Sequence, residues 1–426
     1  MAQAGKRTWA RVLALLTAVL VVLVLAAPAT AAASLQSTIS SILTRHQLSG
    51  AGTGVAVYDL SGKRALYSLH WDSPLLPASN EKLVTSATAL GRWTGSHRFT
   101  TQLLLGTPHP TTAGTLAGDV FLKGFGDPTL STSSFQARHF KMATSDLTGF
   151  VKSLRTLGVK RIAGRVRADD GYFDQARTAP TWRPGMGAYC GPLSALTLNE
   201  GFGPSGGYVG DPSVAAAAKL TSLLRAAGIA VDHAAARGRA PASAAVAFVE
   251  YSATLSRVLA AMNKPSDNFL AEELLKGLGA HFGGAGTTYA GTRVATDYLK
   301  SLGIATGFRL RDGSGLSHTD RLSAHAVIKL LGAMSRRPDF ALFRDSLAVA
   351  GVDGTLAGRM RGTAAQANVH AKTGTLAAAS CLSGYVTSAS GHALSFSILM
   401  NGGGLSLGDA IAAQDAIAVA LAGSRQ

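Results

Sequence analysis

Strand and helix patterns recur at both ends of this chain with a strand-rich stretch between them, and that arrangement constrains the fold more than any other feature. Residues 54–60 and 65–70 read as two strands joined by a tight turn at Ser61-Gly62-Lys63. A helix is expected over 35–43. Another begins at Pro77-Ala78-Ser79, where a proline precedes a Ser followed by Lys, Leu and Ala. From residue 99 the character changes. The runs 101–105, 119–123, 164–169 and 246–251 are short and strand-like, broken by Gly, Pro and Asp turns, with helical stretches at 146–157 and 214–227. Helical periodicity returns from 252 to 262 and again over 268–278, 291–302 and 323–334. Residues 384–386 and the apolar 394–400 read as strands, and 406–422 as a last helix. The pattern predicts an α/β (α+β) domain over 34–98 and 251–426, interrupted by an inserted module at 99–250.

The N-terminus bears on the compartment. Lys6, Arg7 and Arg11 precede an unbroken Leu/Val/Ala/Thr run over 12–26, and the small residues Ala29-Thr30-Ala31 follow. That is the order of a secretory signal peptide over 1–31, with a membrane anchor as the alternative, and it points to an exported, cell-envelope protein. The formal charge is +16; removing Lys6, Arg7 and Arg11 lowers it by three, to +13. A basic exported protein suits anionic polymers or membrane surfaces, with a generally basic surface as the alternative reading. No Lys/Arg cluster is interleaved with aromatics, which argues against nucleic acid. Cys190 and Cys381 are the only cysteines, and their spacing leaves a disulfide open. Neither sits in a CxxC and no HExxH occurs among the eleven histidines, so no metal and no cofactor is expected.

Three short motifs carry chemistry. Ser79-Asn80-Glu81-Lys82 is the only S-x-x-K in a chain with 13 lysines. Residues i and i+3 share a helix face, so the Lys82 amine lies beside the Ser79 hydroxyl. A lysine crowded by cations and removed from water loses its proton near neutral pH and can activate that serine as a nucleophile. Ser266-Asp267-Asn268 precedes a helical run. Ser266 is placed to relay a proton to a leaving group and Asn268 to donate to a substrate amide carbonyl, although all three residues are also good helix caps. Lys372-Thr373-Gly374-Thr375 lies beside a strand, where a lysine and two hydroxyls on an edge suit a peptide C-terminal carboxylate. The backbone N–H groups of Ser79 and Thr375 would then form an oxyanion hole.

Taken in order, S-x-x-K, S-D-N and K-T-G form the set of penicillin-binding proteins and class A β-lactamases. The chain resembles the class C low-molecular-mass penicillin-binding proteins, the D-alanyl-D-alanine carboxypeptidase/endopeptidase family. The resemblance continues through Gly124-Phe125-Gly126-Asp127-Pro128, through Pro192-Leu193-Ser194-Ala195-Leu196-Thr197-Leu198-Asn199, and through Asp312-Gly313-Ser314-Gly315-Leu316-Ser317 with Arg321. It implies a transpeptidase-like fold, an antiparallel sheet flanked by helices with a strand-rich insertion. It further implies Ser79 as nucleophile, Lys82 as base and Ser266 as proton relay, with Asn268, Lys372, Thr373 and Thr375 binding substrate. Peptidoglycan stem peptides are the implied substrates and β-lactams the implied covalent inhibitors. The stretch between Lys82 and Ser266 is shorter than in familiar members, which suggests one inserted domain rather than two. Trp182 and Tyr189, near a Pro/Gly-rich loop of that stretch, are candidates to overhang the site.

Two rivals bear on the function. A class A β-lactamase needs a deacylating Glu between the second and third motifs, and the only glutamates there, Glu272 and Glu273, lie in the helix that starts at Asn268. A non-catalytic wall-binding or β-lactam-sensing protein would keep the site for recognition alone.

Overall fold

The computed structural model describes residues 34–425, so the expected signal segment lies outside the described residues. The central sheet has six antiparallel strands drawn from both ends of the chain. Its order is Ala348–Val349, His370–Leu376, Ala379–Thr387, Ala393–Asn401, Thr53–Asp59 and Arg64–Leu69. The expected hairpin is there, with a register shift at Val57/Tyr58.

Helices cover both faces, which explains why the middle strands read as continuous apolar runs rather than alternating ones. In Ala393–Asn401, Ile398 turns to one core and Leu399 to the other. One face packs Leu35–Arg45 and Leu407–Gly423, through Ile39, Leu43, Ile417 and Leu421. The other packs Glu81–Arg92, Leu255–Asn263, Asn268–Phe282 and Ala324–Ser335, through Leu83, Leu259, Leu270, Leu274 and Leu331. Each such buried leucine contributes about 1.5–3 kcal/mol. Polar starts mark the helix ends: Ser34, Asp267, Thr287, Ser323 and Ser406 each accept a backbone N–H with the side chain.

The stretch between these two parts builds a five-stranded sheet in the order Ala245–Tyr251, Thr100–Leu105, Val120–Gly124, Val166–Asp169 and Ala236–Arg237. Its first pairings are antiparallel and its last two parallel. A three-stranded parallel sheet of Thr115–Leu116, Arg161–Ile162 and Ala230–Val231 lies beside it. Both sheets share one core with Thr148–Thr156 and Pro212–Ala226, through Leu103, Leu116, Phe150, Ile162, Leu220 and Val231. Cys190 and Cys381 are both buried and unbridged. Among the described residues no helix is long and apolar enough to cross a membrane.

Candidate active site

Ser79 lies in a single 3-10 turn, Ala78–Asn80, that runs into the helix Glu81–Arg92. The turn is tightly specified. Ala78 has φ +46°, and Gly315 packs so closely that a β-carbon there would lie 1.8 Å from the Ala78 carbonyl oxygen. Asn80 donates its amide to the Lys372 carbonyl at 3.1 Å, which pins the turn to the strand His370–Leu376. Gly374 in that strand faces the turn, and a β-carbon there would come within 2.8 Å of the Pro77 oxygen and 3.1 Å of the Ser79 nitrogen. Only glycine allows the strand to run this close to Ser79.

One turn on from Ser79, at the second residue of the helix Glu81–Arg92, Lys82 is fully buried. Its Nζ lies 3.0 Å from Ser79 Oγ, 2.7 Å from Asn268 Oδ1 and 2.8 Å from the Ser314 carbonyl oxygen. Burial lowers its pKa from 10.5 to about 8, against the opposing pull of Asp312, Asp267 and Glu272. A neutral amine has two N–H donors and one lone pair. Asn268 and Ser314 offer two acceptors, so the lone pair is left for the Ser79 hydroxyl.

Asn268 opens the helix Asn268–Phe282, and Asp267 caps it by accepting the Leu270 N–H at 2.9 Å. Capping and chemistry therefore coexist in this motif: Asp267 takes the cap, which frees Asn268 to face Lys82. The Asn268 amide also donates to the Tyr189 carbonyl at 2.9 Å and keeps its second N–H free of that bond. Ser266 adopts φ +69° and receives Lys372 Nζ on its hydroxyl at 2.8 Å. Lys372 is fully buried, and burial together with Lys82 pushes its pKa well below the ordinary lysine value. The structure thus brings Ser79, Lys82, Ser266, Asn268 and Lys372 into one cleft from three distant parts of the chain.

Thr373 and Thr375 differ from the simple edge-strand expectation. Their strand is second in the sheet order, but Ala348–Val349 pairs only with His370 and Ala371. The rim begins at Lys372, where the motif begins. There Thr373 donates its hydroxyl to Thr355 Oγ1 at 2.7 Å and Thr375 is exposed. Of the two aromatics singled out, Tyr189 is 66% exposed above Asn268, whereas Trp182 is half-buried and donates its indole N–H to Asp312 Oδ2 at 2.7 Å.

Sequence reasoning missed the backbone carbonyls of Ser314 and Tyr189 and the hydroxyl of Thr355. The D-G-S-G-L-S run flagged the first: Asp312 accepts the Gly315 and Ser317 N–H groups, and Glu272 accepts those of Gly313 and Ser314, which fixes the Ser314 carbonyl. Glu273 accepts the Ser194 N–H. Neither glutamate has the free carboxylate that a class A deacylating base needs; burial pushes both up to about 8.

This arrangement on this fold defines an active-site serine hydrolase. The D-Ala-D-Ala carboxypeptidase 3 (S13) family matches residues 35–206 and 204–423. The chain is 35% identical to the D-alanyl-D-alanine carboxypeptidase of Actinomadura sp. (strain R39), covering 93% of this chain and 87% of that one. Its fold is like that of penicillin binding protein 4 from Haemophilus influenzae, with TM-score 0.71 and 20% identity over 86% of this chain and 94% of that one. The same protein complexed with a β-lactam gives TM-score 0.65 and 21% identity over 87% and 94%. The chain belongs to the D-Ala-D-Ala carboxypeptidase 3 (S13) family and is a serine-type D-alanyl-D-alanine carboxypeptidase, an enzyme of peptidoglycan processing that works in the cell envelope.

Proposed function

We propose that Ser79 attacks the carbonyl of the penultimate D-alanine of a peptidoglycan stem peptide, with neutral Lys82 taking its proton. The observation that carries this reading is the three-way setting of the Lys82 amine, two carbonyl acceptors and one hydroxyl at 2.7–3.0 Å. The oxyanion that forms meets the backbone N–H groups of Ser79 and Thr375. As the C–N bond breaks, the proton passes through Ser266 to the departing D-alanine amine, a path supported by the Lys372–Ser266 contact at 2.8 Å. Asn268 holds the substrate amide with its second N–H. Lys372, Thr373 and Thr375 receive the terminal carboxylate, whose charge offsets the cost of a buried ammonium. Water then attacks the Ser79 ester, with Lys82 again as base, and releases the shortened peptide.

A peptide can lie along the Lys372–Thr375 rim as an added strand, and this favours chains longer than a dipeptide. A β-lactam would acylate Ser79 by ring opening and keep its leaving group tethered, so hydrolysis would be slow. The inserted module is read as a single domain over 99–250, with Tyr189 at the mouth contacting the peptide. Attraction to anionic wall polymers follows from the +13 balance and should weaken as salt rises.

The test is D-alanine release from a D-Ala-D-Ala-ended peptide by the unmodified chain and by Ser79→Ala. A loss of about three orders of magnitude or more in the variant is expected. Equal release from both would remove Ser79 from the mechanism. Binding without release, with penicillin still attached at Ser79, would favour the sensing role.

A further inference from the structure

The Ser266-Asp267-Asn268 turn is held from outside its own part of the molecule. Ser266 has φ +69°, a conformation that a β-carbon makes costly and that persists only where surroundings impose it. Asp267 faces two ways. Its Oδ1 caps the following helix, while its Oδ2 lies 3.3 Å from His139 Nε2. The same ring nitrogen lies 3.0 Å from Glu200 Oε1.

Both partners come from the inserted stretch. His139 sits on the wide helical turn Gln136–Phe140, with its ring against Phe135 and Phe140 at 4.7 and 5.0 Å. Glu200 is 5% exposed and, like Asn199 before it, left-handed, with φ +52° and +53°. Burial, then the charge of Asp267, pushes the Glu200 carboxyl up to about 8, while hydrogen bonds to Asp267 and Glu200 raise His139 to about 10. At neutral pH a charged imidazole therefore sits between the Asp267 carboxylate and a Glu200 carboxyl that keeps its own proton.

We propose that His139 and Glu200 are positioning residues of the inserted module, clamping Asp267 so that Ser266 and Asn268 stay in register with the two cleft lysines. The geometry makes the link short. Residues 266 and 268 flank the clamped aspartate, and each touches a lysine amine, at 2.8 Å to Lys372 and 2.7 Å to Lys82. A tilt of this one turn disturbs both contacts together. The inserted module thus helps to complete the catalytic constellation as well as border it. The inference rests on the roles given above to Ser266 and Asn268.

Its test uses the full chain with His139→Ala, Glu200→Ala and Glu200→Gln. In the alanine variants, kcat for D-alanine release and the penicillin acylation rate should fall together by about tenfold to a hundredfold, and KM should rise as Asn268 loses its register. Glu200→Gln should recover most of the loss, because its amide can accept from His139 and donate to Asp267 without a second negative charge. Amide exchange across residues 266–270 should accelerate in the alanine variants while residues 372–376 stay protected, a readout independent of turnover. Alanine variants with unchanged kcat and only a lower Tm would overturn the proposal. So would a glutamine variant no better than alanine, or a parent chain whose rate rises with Zn²⁺ and falls with a chelator. An unmodified chain inert to both peptide and penicillin would fail the carboxypeptidase reading instead, while the exchange data would still decide the clamp.

Discussion

Lys82 and Lys372 in the cleft, and Lys276 where the helix Asn268–Phe282 meets the inserted module, are all fully buried, yet the protein treats them in opposite ways. Lys276 is given a carboxylate, Asp174 Oδ1 at 2.6 Å, with the Ala176 carbonyl at 3.0 Å and the Phe173 ring 5.5 Å away. The cleft lysines are hydrogen-bonded to hydroxyl, amide and carbonyl oxygens instead. A buried lysine paired with a carboxylate ties two parts of the chain together. One left among neutral dipoles is pressed by burial to release its proton, which is what a base such as Lys82 must do. The acidic groups around Lys82, Asp312, Asp267 and Glu272, moderate the effect while each also accepts a backbone N–H group.

The contrast breaks most visibly at Lys82. Lys82→Arg keeps a cation that cannot deprotonate, so penicillin acylation should fall by about three orders of magnitude, as it should in Lys82→Ala. Retention of activity in the arginine variant would mean that charge, not basicity, is what the site needs. Lys276→Met sharpens the other side. It should lower Tm, with a loss of about 1–3 kcal/mol, and leave kcat per folded molecule unchanged. A fall in kcat at constant Tm would blur the distinction between the two lysine settings.

Much of this was legible beforehand, and the reason is specific. The hairpin, the long helices and the apolar C-terminal strands carry periodic signals set by burial of one or both faces, so Thr53–Asp59, Ala324–Ser335 and Leu407–Gly423 fall where the pattern put them. Ser79, Lys82, Ser266, Asn268 and Lys372 carry their chemistry in side chains whose identity is visible in a string. The acceptors that set the Lys82 lone pair were not visible, since the Ser314 carbonyl could belong to any residue. The parallel pairing of Val120–Gly124 with Val166–Asp169 was also hidden, because such short strands carry no directional signal. His139, Glu200 and Asp267 meet only through the long-range docking of the inserted module, so no local spacing announces them.

The central claim is that Lys82 acts as a neutral base. Its pKa of about 8, lowered by burial, means that the amine is protonated below that pH and free above it. By the same shift its own contribution to stability grows as pH rises from about 8 towards 10.5, where the unfolded chain still binds the proton and the folded chain has lost it. The direct measurement is the rate of Ser79 acylation by a penicillin, followed by intact mass after rapid mixing across pH 6 to 10. A rate that climbs and levels with an apparent midpoint near 8, absent in Lys82→Arg, is the expected result. A rate flat across that range, or one that falls as pH rises through 8, would contradict the account.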